Sequence, residues 1–361
     1  MPERRINWLT RTLTQHNSVK AYLEPVLQLF HPQWQATGFQ ATVTEIRKEN
    51  QDVFSLILKP QNKWPEFLAG QHISITVEIN GAKYHRTFSI SSSPAYYQQT
   101  GLIELTIRKQ DLGKVTNYLN STIKPGNQLT ISKPQGSFLL TQPNEPLLFI
   151  AGGSGITPFR SFIQQGSVTQ TAQDIHLIYY HNTAQALFSD EWSLFAAQMP
   201  NLKVSIINTR ISGHISKVQL LKHCTDIENR KVFLCGPFGL IEQSKDILLT
   251  LGLSKERIKQ ELFNPRPITQ LNLENDPEVY FSSSKVQAQS NKTNPKTLLE
   301  LAEKAQVNPP SGCRMGVCHQ CKCRKKQGIV YNTLTGQFSD TGEQDIQLCI
   351  SLPVGHVNLE L

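Results

Sequence analysis

The sequence lacks any apolar run close to the roughly 18 residues that a membrane span needs. Residues 1–15 carry charge but no apolar core, so they do not form a secretory signal. No internal repeat occurs, and 21 glycines and 20 prolines among 361 residues exclude a collagen-like or low-complexity chain. These absences predict a cytoplasmic protein without a transmembrane segment. At about 100–200 residues per domain, the length predicts two or three domains.

Charge and cysteine are distributed very differently along the chain. The 36 Lys and Arg against 28 Asp and Glu give a net charge of +8, which by itself selects neither protein, nucleic acid nor lipid as partner. No cysteine precedes Cys224, whereas four of the seven lie between Cys313 and Cys323. Cysteines crowded in this way in a cytosolic chain favour metal binding over a disulfide framework.

Hydrophobic periodicity divides the chain into five segments. Residues 1–36 follow helical spacing, and residues 37–143 change to a period of two with five or six short strand-like runs. We predict an N-terminal helical extension and then a small antiparallel β-barrel. Residues 144–263 alternate buried strands with helices, which indicates an α/β domain with a parallel sheet. The proline-containing residues 264–277 are predicted to be a linker, and residues 278–361 an α+β domain.

The crowded cysteines have the spacing of an iron–sulfur site. Cys313, Cys318 and Cys321 follow a C-x4-C-x2-C pattern, and Cys349 comes 27 residues later. This is the plant-type [2Fe–2S] spacing, in which soft thiolates bind iron. A structural zinc site is the alternative, although zinc ribbons usually pair two C-x2-C motifs. Cys323 is predicted to be a small buried residue rather than a ligand.

One predicted strand of the barrel carries a flavin-like motif. It reads Arg-Thr-Phe-Ser from residue 86 and resembles the R-x-Y-S motif of the ferredoxin–NADP reductase superfamily, with phenylalanine in place of tyrosine. In that motif a cation and a hydroxyl meet a phosphate and the flavin edge, and the ring packs on the flavin. The resemblance also implies that a Gly-Lys-Val-Thr segment contacts the pyrophosphate of FAD. The predicted FAD-binding residues are Arg86, Thr87, Phe88, Ser89, Gly113, Lys114, Val115 and Thr116.

A glycine-rich turn at residues 152–158 follows a buried strand and opens a helix, which is typical of a pyrophosphate site. Glycine is also needed in tight turns that bind nothing. The resemblance places a Cys-Gly-Pro segment near the nicotinamide, and it implies that Ser89 and Cys235 are catalytic. A hydroxyl and an arginine at the next strand end, with no acid, favour NADPH over NADH. The predicted nucleotide-binding residues are Gly152, Gly153, Ser154, Gly155, Thr157, Pro158, Thr209, Arg210, Cys235, Gly236 and Pro237.

Residues 278–361 resemble a plant-type ferredoxin of β-grasp fold, which implies that Cys313, Cys318, Cys321 and Cys349 are the cluster ligands. Together with the N-terminal extension, the three modules look most like the NADPH-dependent reductases of membrane fatty-acyl desaturases. That resemblance implies electron transfer from NADPH through FAD and [2Fe–2S] to an external acceptor, which could hold the protein at a membrane, and no nucleic-acid partner. One alternative is the reductase of an aromatic-ring or alkane oxygenase. The other is a non-catalytic binding module with a zinc-stabilised tail.

Overall fold

The computed structural model describes residues 38–79, 82–111, 113–140, 145–263, 275–316 and 319–361. The predicted helical extension, residues 1–36, lies outside the described residues, as do Cys318 and residues 264–274 of the predicted linker. In the described part of the chain no helix combines the length and the apolar character that crossing a membrane requires.

The first sheet is antiparallel and nearly closes into a barrel, with strand order β4-β3-β6-β1-β2-β5. Alternation along these strands turns Val43, Leu56, Leu58, Ile73 and Ile75 into a common core. Two short helices pack against this core. The elements are β1 (Phe39–Lys48), β2 (Val53–Pro60), β3 (His72–Ile79), β4 (Ala82–Ser89), α1 (Pro94–Thr100), β5 (Ile103–Arg108), α2 (Lys114–Ser121) and β6 (Gln128–Ile131).

The second sheet has five parallel strands in the order β11-β10-β7-β8-β9. Its central strand is buried along its whole length because helices cover both faces of the sheet. The elements are β7 (Leu147–Gly152), α3 (Thr157–Val168), β8 (Ile175–His181), α4 (Ser189–Gln198), β9 (Leu202–Asn208), α5 (Thr209–Ser212), α6 (Lys217–His223), β10 (Lys231–Gly236), α7 (Phe238–Thr250) and β11 (Ile258–Leu262).

The C-terminal residues form a mixed sheet of order β13-β12-β19-β14-β17 and a small sheet of order β16-β15-β18. A helix with a capping box between Thr297 and Glu300 packs its leucines on the mixed sheet. The elements are β12 (Glu278–Phe281), β13 (Val286–Gln289), α8 (Leu298–Lys304), β14 (Lys322–Gln327), β15 (Val330–Asn332), β16 (Gln337–Phe338), β17 (Gln344–Gln347), β18 (Ser351–Pro353) and β19 (Val357–Leu359). The three architectures confirm the predicted fold class.

Helix α3 joins the parallel sheet to the barrel. Its first two turns donate to backbone carbonyls of the segment before α1: Arg160 Nη1 lies 3.2 Å from the Ser91 oxygen, and Ser161 Oγ lies 2.7 Å from the Ser92 oxygen. Arg160 also forms ion pairs with Glu104 of the barrel and Glu191 of α4. The glycine turn that precedes α3 is thereby fixed relative to the flavin-like strand β4.

Candidate active site and cysteine loop

A cavity of about 1330 Å³ lies between the barrel, the parallel-sheet domain and the C-terminal domain. It exceeds the ~300–1,000 Å³ that usually accommodates one drug-sized ligand, so it has room for dinucleotides. Its walls come from β4, α2, the turn after β7, the ends of β10 and β11, and the cysteine loop, which we define as residues 311–323. The predicted site residues that line it are Arg86, Thr87, Phe88, Ser89, Gly113, Val115, Thr116, Gly152, Ser154, Thr157, Gly236, Pro237 and Cys313.

The other described residues of the predicted site do not line this cavity, namely Lys114, Gly153, Gly155, Pro158, Thr209, Arg210, Cys235, Cys321 and Cys349. Lys114 is exposed, and its ammonium lies 3.3 Å from the Tyr84 hydroxyl on the barrel surface. Thr209 and Arg210 begin α5 beyond the end of β9, and Arg210 is exposed. The predicted site residues therefore fall into two groups, those that line the cavity and those that lie outside its walls.

Helix α2 begins at the cavity and is fixed there by its own side chains. Gly113 is the N-cap, and Thr116 Oγ1 accepts a hydrogen bond of 3.1 Å from the Gln110 amide. A Cβ at Gly113 would come within 2.5 Å of that hydroxyl oxygen. A side chain is therefore excluded at the point where the first amides of the helix reach the cavity, and this geometry fits a phosphate group.

The glycine turn packs backbone against backbone with the segment that ends β10. A Cβ at Gly155 would lie 2.3 Å from the Cys235 carbonyl oxygen, and a Cβ at Gly236 would lie 2.9 Å from the Gly152 nitrogen. Gly153 has a φ of +56° and faces the Arg108 guanidinium. Close packing of the two segments therefore accounts for Gly155, independently of any ligand.

We expect Gly155→Ala to lower the free energy of unfolding by about 1–3 kcal/mol, because the added methyl group meets rigid backbone rather than a movable side chain. Gly239, in the first turn of α7, is the matched control, since a Cβ there has nothing within 4 Å. Gly239→Ala should stabilise the chain by roughly 0.5–1 kcal/mol through helix propensity. Denaturant unfolding of both variants checks the prediction, which would be wrong if they shifted stability in the same direction.

Sequence reasoning missed two side chains that meet Ser89 in the cavity. The Ser89 hydroxyl donates to Glu261 Oε2 at 3.4 Å, and Glu261 Oε1 lies 3.4 Å from His72 Nδ1. All three residues line the cavity. Glu261 is in register with Cys235 on the neighbouring parallel strand, and burial and the Glu261 charge raise the pKa of the Cys235 thiol well above its usual range. Only the sheet register could reveal this grouping.

Three of the four predicted cluster ligands lie among the described residues, and two of them, Cys321 and Cys349, belong to the core of the C-terminal sheet. Cys313, Cys321 and Cys349 are buried, and the sulfurs of Cys321 and Cys349 lie 3.2 Å apart. Their hydrogen bond lowers the pKa of Cys321 to about 7 and, with burial, raises that of Cys349. The Met315 amide donates to Cys313 Sγ at 3.4 Å. Buried sulfurs that face one another and an amide that points at one of them fit a thiolate-held cluster.

Three family models match successive parts of the chain. An oxidoreductase FAD-binding domain matches residues 40–139, an oxidoreductase NAD-binding domain matches residues 149–246, and a 2Fe-2S iron-sulfur cluster binding domain matches residues 284–354. The matches follow the barrel, the parallel-sheet domain and the C-terminal domain in that order, and they bear out FAD, a nicotinamide nucleotide and [2Fe–2S] as the cofactors.

Relatives share this organisation over most of their length. The chain is 28% identical over 341 residues to an NADPH oxidoreductase of Mycobacterium tuberculosis, covering 93% of this chain and 87% of that protein. It is 26% identical over 326 residues to a glycine betaine monooxygenase reductase subunit of Chromohalobacter salexigens, covering 81% of this chain and 87% of that subunit. The structure of phthalate dioxygenase reductase superposes with a TM-score of 0.64 at 21% identity and covers 90% of this chain and 98% of its own.

The fold, the domain order and the relatives agree with one another. The zinc-stabilised binding module is excluded as a description of the whole chain, because two of its three domains are oxidoreductase domains. The chain is an NAD(P)H-dependent oxidoreductase with FAD-binding, NAD-binding and 2Fe-2S cluster-binding domains, and it shares its fold with phthalate dioxygenase reductase.

Proposed function

We propose that this chain is the reductase component of an oxygenase system, which takes electrons from NADPH and delivers them to an external metal oxygenase. The observation that carries the proposal is the shared cavity, because the flavin-like strand, the glycine turn and the cysteine loop all line it. When bound there, FAD and the cluster supply the conversion of a two-electron hydride donor into one-electron delivery. The protein positions these groups and excludes water.

The chain's own residues would divide this work. Arg86 and the first turn of α2 would bind the flavin phosphates, and Ser89 would present its hydroxyl to the flavin edge while Glu261 accepts from it. Cys235 is fully buried, and burial keeps its thiol protonated at neutral pH, so it would shape the nicotinamide site rather than act as a nucleophile. The four predicted cysteine ligands, Cys318 among them, would hold the iron.

We propose that Arg210 makes the enzyme prefer NADPH to NADH, because Arg210 is exposed at the end of β9 and no acidic residue stands beside it in the sequence. Arg210→Ala should raise the KM for NADPH by about tenfold, the usual scale for a charge-assisted hydrogen bond to phosphate, and leave that for NADH unchanged. Steady-state kinetics with both nucleotides and ferricyanide measure the two values. An unchanged preference would refute the role of Arg210.

The proposal also names the class of protein that accepts the electrons. An oxygenase is favoured because a relative that aligns over most of both chains is named as a monooxygenase reductase subunit. The membrane fatty-acyl desaturase suggested by the sequence resemblance, and the membrane association that it implies, stay predictions. Both acceptors use metal centres that take electrons singly, so the reductase chemistry does not distinguish them.

Reconstitution decides between the acceptors. The purified protein should contain flavin, iron and acid-labile sulfide, and it should be reduced by NADPH without oxygen. It is then combined with purified oxygenases from the same source or with a membrane desaturase in lipid vesicles, and product formation is followed. Coupled product with an oxygenase supports the proposal. If product formed with the desaturase and not with an oxygenase, the desaturase would be the acceptor instead. Purified protein without flavin would refute the proposed function.

A further inference from the structure

Two arginines from different domains line the same part of the cavity. Arg86 lies on the barrel strand β4, and Arg314 follows Cys313 in the cysteine loop. Arg86 Nη1 donates to the carbonyl oxygen of Gly312, two residues before Arg314, at 3.2 Å. The barrel and the cysteine loop therefore touch where each presents a guanidinium group.

Few negative side chains lie beside the two arginines. Arg314 is paired with Glu303 of α8, but its buried Nε has no acceptor among the described residues. Arg86 is largely buried, and burial followed by the Arg314 charge lowers its pKa. Arg314 also has a φ of +59°, a conformation that arginine adopts rarely. The negative groups beside the two guanidinium groups are the Glu303 carboxylate, which pairs with Arg314, and Cys313, a predicted cluster ligand. A phosphate entering the cavity between the guanidinium groups would add a countercharge to both.

We propose that Arg314 is the second cation of the flavin phosphate site, so that flavin binding and docking of the ferredoxin domain on the barrel stabilise each other. This rests on the proposed function, which assigns Arg86 to the flavin phosphates. A ligand held by groups of two domains links their association to its own binding, and the coupling is reciprocal. The cysteine loop would therefore be fixed against the flavin site only when the flavin is present.

Flavin affinity tests the proposal directly. Flavin is removed from full-length, cluster-containing protein, and FAD is titrated while its fluorescence is followed. Arg314→Gln should raise the dissociation constant about tenfold, as expected for a lost charge-assisted hydrogen bond. Arg324→Gln is the matched control, because Arg324 lies in the same domain and pairs with Glu343 and Asp345 away from the cavity. Riboflavin, which carries no phosphate, should bind the variant and the parent equally.

Glu303→Gln separates a phosphate contact from mere support of the loop, since it breaks the same ion pair but leaves the cation. The proposal expects Glu303→Gln to bind FAD as tightly as the parent or more tightly. Weakening equal to that of Arg314→Gln would overturn it. Because iron content and the electron paramagnetic resonance spectrum report the cluster, an Arg314→Gln protein that lost the cluster would be recognised, and Glu303→Gln would then decide.

Hydrogen exchange measures the effect of flavin binding on the docking of the ferredoxin domain. FAD should slow amide exchange in the segment 308–316 of the parent and much less in Arg314→Gln. The Arg86→Gln variant separates failure of the Arg314 inference from failure of the proposed function. If it weakens FAD binding while Arg314→Gln does not, this inference is wrong and the proposed function stands. If neither variant changes FAD affinity, the flavin site of the proposed function is itself wrong.

Discussion

Replacing Cys349 by serine is expected to abolish cytochrome c reduction by NADPH and to leave ferricyanide reduction nearly unchanged. Cytochrome c samples one-electron delivery through the cluster, whereas ferricyanide also accepts electrons upstream of it. Cys349 is buried in the ferredoxin core with its sulfur 3.2 Å from that of Cys321, so serine there removes a thiolate from a closed site. Changes outside the ligand shell already cost ~10–100-fold in metal affinity, so loss of a ligand should cost more than about a hundredfold.

Cys323→Ser is the matched control. Cys323 is buried in the same core and only two residues from Cys321, but its sulfur faces the carbonyl oxygens of Arg324 at 3.5 Å and Glu360 at 3.8 Å. Burial raises the pKa of its thiol to about 12, so it carries a proton at neutral pH. Serine there should keep the cluster and both activities. Equal loss of both activities in Cys349→Ser, or loss of the cluster in Cys323→Ser, would contradict the assignment.

The regular strands and the cysteine spacing could be predicted because each is a local pattern. The apolar run of β7 is buried along its length, and the apolar residues at alternate positions of the β3 sequence, Ile73, Ile75 and Val77, all lie in the barrel core. Two elements could not be found in this way. Helix α1 contains tyrosine, glutamine and threonine, and it is anchored by Gln164 and Gln165 of α3, far away in sequence. Strand β11 reads Ile-Lys-Gln-Glu-Leu, a polar sequence that forms a strand only beside β10.

Residues that line the cavity were predicted where a motif is continuous and were missed where residues come together from separate elements. Glu261 and His72 meet Ser89 only through the pairing of β10 with β11 and the contact between the barrel and the parallel sheet. The contacts of the lysine and arginine residues after Cys321 also depend on residues that are distant in the sequence. Lys325 is completely buried and donates to the carbonyl oxygens of Gly328 and Asp340. The other members of that run pair with carboxylates of β17 and its neighbours, so they form no unpaired basic patch.

Arg160→Met is expected to lower the free energy of unfolding by about 1–3 kcal/mol, the cost of leaving one buried carboxylate oxygen of Glu104 unpaired while Arg47 stays paired with the other oxygen. Arg160 is 5% exposed, and Glu104, whose Oε2 lies 3.2 Å from its Nη1, is 4% exposed. The same guanidinium donates to Glu191 at 2.7 Å and packs over the Phe188 ring. Methionine fills much of the volume but satisfies neither carboxylate. The KM for NADPH should rise as well, because α3 carries the glycine turn.

Thermal and urea unfolding, followed by flavin fluorescence, measure the effect. Lys245→Met is the control, since the partly exposed pair of Lys245 with Glu242 in the same sheet domain is 3.7 Å long and should contribute less than about 1 kcal/mol. The double variant Arg160→Met with Glu104→Gln should recover part of the loss, because the neutral amide replaces a buried carboxylate whose charge Arg160 no longer neutralises. If the double variant lost the sum of the two single effects, Glu104 would not be the group that Arg160 neutralises.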